Sequence, residues 1–243
     1  MVTYIKYIQK TIFFIIYISS QLYTTQAQAQ IEKKTYYVSF ITIDQESKNT
    51  LYTGQEKIQL IDGQYISRKA CYYDLNKQVI KIERSLFNKE SLKIIRLIDQ
   101  EKIAKKQTKI QTIDKNKITV FFKKENEQDS GNFAWNPKLV VNKTLNQFII
   151  KNKTKLLQNK EVNFKLLVPS RVDVFSFDLT RDTNLSSEKK LVVAMDASSF
   201  FVRLFVPKIY FTYKIKDNGL QLESYTGPSV IDHRDKKYLN TKY

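Results

Sequence analysis

The chain has 243 residues, 42% of them hydrophobic, and 41 Lys and Arg against 24 Asp and Glu give it a net charge of +17. That length suffices for one well-cored domain. One His, one Cys and five Gly exclude a multi-histidine metal centre, an intramolecular disulfide, and the glycine-rich phosphate loops of Walker or dinucleotide type. The cations are spread along the chain, which reads as a lysine-rich solubilising background and points to no nucleic-acid partner.

At the amino terminus Lys6 and Lys10 form a short basic region before an apolar run, Ile12 to Ile18, and Ala27-Gln28-Ala29 follows a polar stretch. This is the pattern of a secretory signal with cleavage before Gln30. The run is far shorter than the ~20 residues of a spanning helix. Residues 1–29 are therefore expected to be removed, leaving 30–243 as a single periplasmic or secreted antiparallel β domain with no integral membrane span. Cys71, in the strand-like run Ala70-Cys71-Tyr72-Tyr73, reads as a small buried hydrophobe.

Short β-branched and aromatic runs then alternate with turn chemistry. Thr35 to Asp44 forms a first strand with bulky apolar groups on both faces, Tyr37, Ile41 and Ile43 opposite Tyr36, Val38 and Phe40. A turn is expected at Thr53-Gly54, and Asp62-Gly63 is the strongest hairpin signal, joining Lys57–Ile61 to Gln64–Tyr73. Gln78 to Arg84, Leu92 to Ile98, Thr108 to Ile113 and Ile118 to Lys123 continue the series, with Lys102, Lys105, Lys106 and Lys109 among the lysines assigned to its solvated face. Glu125 to Pro137, with Ser130-Gly131 and Asn136-Pro137, breaks the pattern and is expected to be a loop carrying the single Trp135. Between Asn142 and Lys160 the period becomes helical: Leu145, Phe148, Ile149, Leu156 and Leu157 predict one amphipathic helix packed on the sheet. Val162 to Val168 alternates cleanly and stops at Pro169-Ser170. The strand Arg171–Thr180, the segment Lys190–Ala194, the aromatic run Phe200-Phe201 with Leu204-Phe205, and the hairpin from Ile209–Ile215 through Asp217-Asn218-Gly219 to Leu220–Tyr225 complete the chain.

Three segments carry a resemblance: Phe164-Lys165-Leu166-Leu167-Val168-Pro169-Ser170-Arg171, Ser199-Phe200-Phe201-Val202-Arg203-Leu204-Phe205-Val206, and Tyr225-Thr226-Gly227-Pro228-Ser229-Val230-Ile231-Asp232. In order and spacing they resemble a family of uncharacterised exported proteins of Gram-negative bacteria, whose motifs read V-P-S-R, W-L-L-R-L-L-V and Y-E-G-I-S-N. Phe200 stands where that family has Trp, and Pro228-Ser229-Val230 replaces its Ile-Ser-Asn core. The resemblance implies an exported, β-rich protein. The layout is also similar to periplasmic lipoprotein carriers, which implies a curved antiparallel sheet with helix cover over an apolar groove.

Catalytic constellations are thin. His233 sits in a polar turn, Asp232-His233-Arg234-Asp235, with no reason to meet Cys71, and Ser170 lacks the flanking glycines of a nucleophile elbow. The expected fold is mainly β, a curved antiparallel sheet or partly open barrel with a helix at about 142–160, although a closed sandwich would also bury both strand faces. The expected function is non-enzymatic binding or carriage of an apolar or amphiphilic ligand, with no cofactor or metal. Phe200, Phe205, Tyr213 and Trp135 are the candidate ligand contacts. Partners would be a lipid or lipoprotein, or, in a second reading, an anionic envelope component met by the basic surface.

Overall fold

The computed structural model describes residues 32–114, 116–203, 206–217, 219–231 and 238–243. The signal segment, Phe205 and the whole polar turn Asp232-His233-Arg234-Asp235 lie outside these residues.

Residues of high β propensity at period two build strands almost without interruption. The first half of the chain is a meander of β1 (Lys33–Asp44), β2 (Thr50–Ile61), β3 (Tyr65–Tyr73), β4 (Val79–Asn88), β5 (Ile94–Glu101), β6 (Lys106–Asp114), β7 (Lys117–Lys124) and β8 (Glu127–Ala134). Each pairs antiparallel with the next. The hairpin at Asp62-Gly63 forms where expected. Asp62 and Gly63 both take left-handed backbone, with φ of 51° and 67°, the conformation that matches the twist of the flanking strands.

The second half opens with the short strand β9 (Leu139–Val141), which runs directly into the helices α1 (Asn142–Lys151) and α2 (Lys153–Leu157). Then follow β10 (Val162–Val168), β11 (Asp173–Arg181), β12 (Lys190–Ala197), the one-turn helix α3 (Phe200–Arg203), β13 (Ile209–Lys216), β14 (Gly219–Pro228) and β15 (Tyr238–Lys242). The last strand lies against the first, Ile41 opposite Lys242. That pairing joins both meanders into one 15-stranded sheet, ordered β8-β7-β6-β5-β4-β3-β2-β1-β15-β14-β13-β12-β11-β10-β9. All pairs are antiparallel except β9 with β10.

A twisted sheet of this width curls. Its two ends return to each other. Leu139, Val141 and Leu167, from β9 and β10, share one apolar cluster with Ile94, Leu97, Ile110, Ile118 and Val120 of β5, β6 and β7. Val172, in the turn after β10, packs so closely on Gly131 of β8 that a Cβ there would lie 2.7 Å from Val172 Cγ1. The result is a curved sheet with the form of a partly open barrel. Inside it, Leu145, Phe148 and Ile149 of α1 pack with Phe164, Phe177 and Leu191 of the second meander. A smaller cluster of Phe40, Tyr52, Tyr72 and Leu239 fills the inner side where the meanders join.

Four local expectations are corrected. The segment expected as a loop at Glu125–Pro137 is mostly the strand β8, paired with β7 from Lys117↔Ala134 to Lys124↔Glu127. Its polar residues suit an edge strand that is exposed along most of its length. Thr53-Gly54 is no turn but lies within β2, where Gly54 leaves room for the Phe40 ring. The single helix at 142–160 is two, broken at Asn152, whose side chain bonds back to the Phe148 carbonyl at 2.9 Å. Phe200, whose aromatic run is grouped with the strands of the second half, begins a helix instead. Cys71 is half-buried.

Candidate functional site

The inner face of the curl leaves a chamber beside α1. It comprises two cavities of about 350 and 280 Å³ that share Asn142, Lys143, Leu145, Phe211, Tyr225 and Val230 in their walls. One side is apolar, built by Leu145 of α1 with Met195, Ile209 and Phe211 of β12 and β13. β13 alternates, which turns Ile209 and Phe211 inward, while β12 is buried on both faces along most of its length.

The opposite side is ionic. Inward positions of β2 to β6 carry Glu56, Arg68, Lys81, Glu83, Asp99, Glu101 and Lys106, and α1 adds Lys143. Lys81 Nζ lies 3.2 Å from Glu83 Oε1 and 3.0 Å from Asp99 Oδ2, with Glu101 Oε2 at 3.9 Å, and it donates to the Val230 carbonyl at 2.7 Å. Lys106 pairs with Glu101 at 2.9 Å, and Lys143 with Glu83. Arg68 grips Glu56 through two nitrogens, at 2.5 and 3.2 Å, and donates to the Lys143 carbonyl at 3.1 Å. The Tyr72 hydroxyl donates to Glu83 Oε2 at 3.1 Å. Four cations thus meet four carboxylates (Glu56, Glu83, Asp99, Glu101) with little exposure to solvent.

Burial opposes ionisation in this cluster, and the partners decide which groups stay charged. Burial works against the Glu83 carboxylate, yet Lys143 and Lys81 hold its pKa well below the ordinary carboxylate range. For Lys81, burial is outweighed by Glu83 and Asp99, and its pKa rises. Arg68 rises too, with burial outweighed by Glu56. Asp99 goes the other way: burial raises its pKa in spite of Lys81. Asp99 Oδ1 is buried with no hydrogen-bond partner among the described residues, and Asp99 lines the larger cavity. The chamber therefore combines an apolar wall, a charge-balanced wall, and an acceptor oxygen with spare capacity.

Of the candidate ligand contacts among the described residues, Trp135, Phe200 and Tyr213, none lines this chamber, whereas Ser170 and, from the segments that carry the resemblance, Leu167, Tyr225 and Ser229 do. Tyr213 of β13 is fully buried in the apolar cluster and donates its hydroxyl to Asn146 Oδ1 at 2.9 Å. Trp135 follows β8, packs on the cluster at the closure of the curl, and lies under Lys93 Nζ, 5.5 Å from the ring centroid. Phe200 is 68% exposed on α3. Phe211 and Leu145 belong to segments that were read as a strand and a helix stripe, but nothing in their spacing distinguishes a cavity wall from core. The ionic wall was missed because Lys81 and Glu83 sit two residues apart, the same pattern as a solvated strand face. Lys106, assigned to that solvated face, points inward to Glu101 instead.

No protein-family profile matches the sequence, and no curated protein matches it. Among solved structures the chain is similar to a β-barrel-like protein from Brucella abortus, of a domain of unknown function named DUF1849. The likeness covers 87% of this chain and 95% of that one at 8% identity, with a TM-score of 0.40. It is a distant likeness between mainly β folds. Among the described residues no helix is long and apolar enough to cross a membrane, and no group of three His, Cys, Asp and Glu side chains could hold a metal ion.

Proposed function

We propose that the protein binds an amphiphilic ligand inside the curled sheet, as a non-enzymatic carrier or holder. One observation carries this reading: the chamber joins an apolar wall, Leu145, Met195, Ile209 and Phe211, to the ionic wall around Lys81, Glu83 and Asp99. Two-sided chemistry of this kind suits a molecule with an apolar tail and a polar head, and cavities of a few hundred Å³ are of ligand size. The unpartnered Asp99 Oδ1 favours a head group that donates hydrogen bonds, such as a hydroxyl or ammonium. The secretory pattern at the amino terminus and the resemblance of the second half to exported proteins of Gram-negative bacteria support a periplasmic setting, in which amphiphiles need escort through water.

Titration of a fluorescent fatty amine and a fluorescent fatty alcohol into the purified protein tests this reading. Emission should rise saturably on binding. The charge-balanced double variant Lys143→Gln/Glu83→Gln, which reshapes the polar wall while preserving net charge, should weaken uptake about tenfold, the loss of one good polar contact. Absence of saturable uptake of either probe would remove the reading.

A further inference from the structure

On β1 to β5 the carboxylates are confined to one face of the sheet, where cations balance them, while the other face carries cations alone. The carboxylates of these strands, Asp44, Glu56, Glu83, Asp99 and Glu101, occupy inward positions and are largely buried. The outward positions hold cations in register. Lys57 of β2 lies directly opposite Lys69 of β3, and Lys69 directly opposite Arg84 of β4. Arg96 of β5 lies opposite Leu86, two residues along from Arg84. These four exposed cations surround a hollow of about 470 Å³ on the outer face, and among the described residues no carboxylate lines it. Like charges directly opposite each other across strands destabilise a sheet, and among the described residues lining the hollow none is acidic to offset the repulsion.

Next to it on the same face lies a second, larger hollow of about 790 Å³ at the seam of β1, β2 and β15. Its walls include Ile41, Ile43 and Tyr73, with Lys77 and Lys242 beside them. Ile41 is 42% exposed, and Tyr37 on the same strand 76%. Along β2 the two hollows are contiguous, since Gln55 lines one and Lys57 the other. A phosphate-only polymer would be met by the cations but would leave the isoleucines without use. A bilayer surface matches both parts, because anionic head groups answer the cations while the interfacial layer accepts exposed aliphatic and aromatic groups.

We infer that the outer face of β1 to β5 is a docking surface for an anionic phospholipid membrane, with head-group phosphates held among Lys57, Lys69, Arg84 and Arg96 and the Ile41 edge resting in the interface. Phe40 and Tyr243 border both the Ile41 hollow and the smaller cavity of the chamber, but Lys57, Lys69, Arg84 and Arg96 line neither chamber cavity, so the inference stands whether or not the chamber holds a ligand.

Flotation with vesicles of phosphatidylglycerol and phosphatidylcholine, against vesicles of phosphatidylcholine alone, tests it, using the chain from Gln30 onward. The wild type should float with the anionic vesicles and be released as salt rises. The triple variant Lys57→Gln/Lys69→Gln/Arg84→Gln should lose roughly a hundredfold in partitioning, since each cation at an anionic surface contributes about fivefold. A control with the same change in net charge, Lys155→Gln/Lys160→Gln/Lys189→Gln, should bind within about twofold of wild type. These exposed changes should leave the circular dichroism spectrum and melting point in place, which separates lost docking from lost fold. Equal loss in both triple variants, or unchanged binding in the first, would overturn the inference. So would tight binding of a single-stranded oligonucleotide through the same residues in a protein that ignores vesicles.

Discussion

Glu83 shows how much one side chain organises. It accepts from the Tyr72 hydroxyl and pairs with Lys81 and Lys143 from two different elements, β4 and α1. Removing one partner of a buried pair is costly because the others remain buried and charged, so Glu83→Gln should lower unfolding free energy by about 3 kcal/mol in denaturant titration. The pH dependence follows from the depressed pKa. Its contribution is fully present above the unfolded value of about 4.3 and is lost as pH falls through that value toward the lower folded one. Melting points of the wild type should therefore drop below about pH 4.3, and the drop should be smaller in Glu83→Gln. An equally steep drop in the variant would mean that other carboxylates govern acid stability. Gly54 is fixed by a close approach of another kind. A Cβ there would stand 2.0 Å from Phe40 Cζ, and that ring is held against Tyr72 with centroids 5.2 Å apart. Gly54→Ala should cost about 1–3 kcal/mol through overpacking, readable as a shifted denaturation midpoint; an unchanged midpoint would show that the Phe40 ring moves freely.

Strands and their turns were largely legible in the sequence, because local chemistry decides them. Asp62-Gly63 supplied two residues tolerant of left-handed backbone, and Pro169-Ser170 ended β10 as expected. Elements decided by their neighbours were not. β8 is rich in Asp, Ser, Gly and Asn and forms because β7 offers a complete ladder to pair with; β9 has three residues and exists only as a parallel partner of β10. The helix stripe of Leu145, Phe148 and Ile149 was readable, but not the break at Asn152, which a side-chain bond to the Phe148 carbonyl accompanies. Because α1 holds one side of the chamber through this stripe, Phe148→Ala should cost about 3–5 kcal/mol. Its melting transition should remain cooperative if α1 is integral to the core, whereas a separate early transition would show that the helix unfolds alone.

The arrangement of the whole molecule was the least legible. Alternating apolar residues on both faces of β1 are compatible with a sandwich, a barrel or an open sheet, and only the pairing of β15 with β1 and the meeting of Leu167 with Ile118 and Val120 select the curl. The same holds for charge. Lysines that look evenly scattered in sequence are sorted by register, some turned inward against carboxylates and others gathered on the outer face. Sorting produces the chamber with its two kinds of wall, and the carrier reading depends on that chamber accepting a ligand. Native mass spectrometry of the protein purified without detergent, before and after solvent extraction, tests that claim most directly. An extra mass of lipid size should stand in the first spectrum, disappear on extraction and return when an amphiphile with a hydroxyl or ammonium head is added back. A spectrum with only the bare chain mass under all three conditions would contradict it.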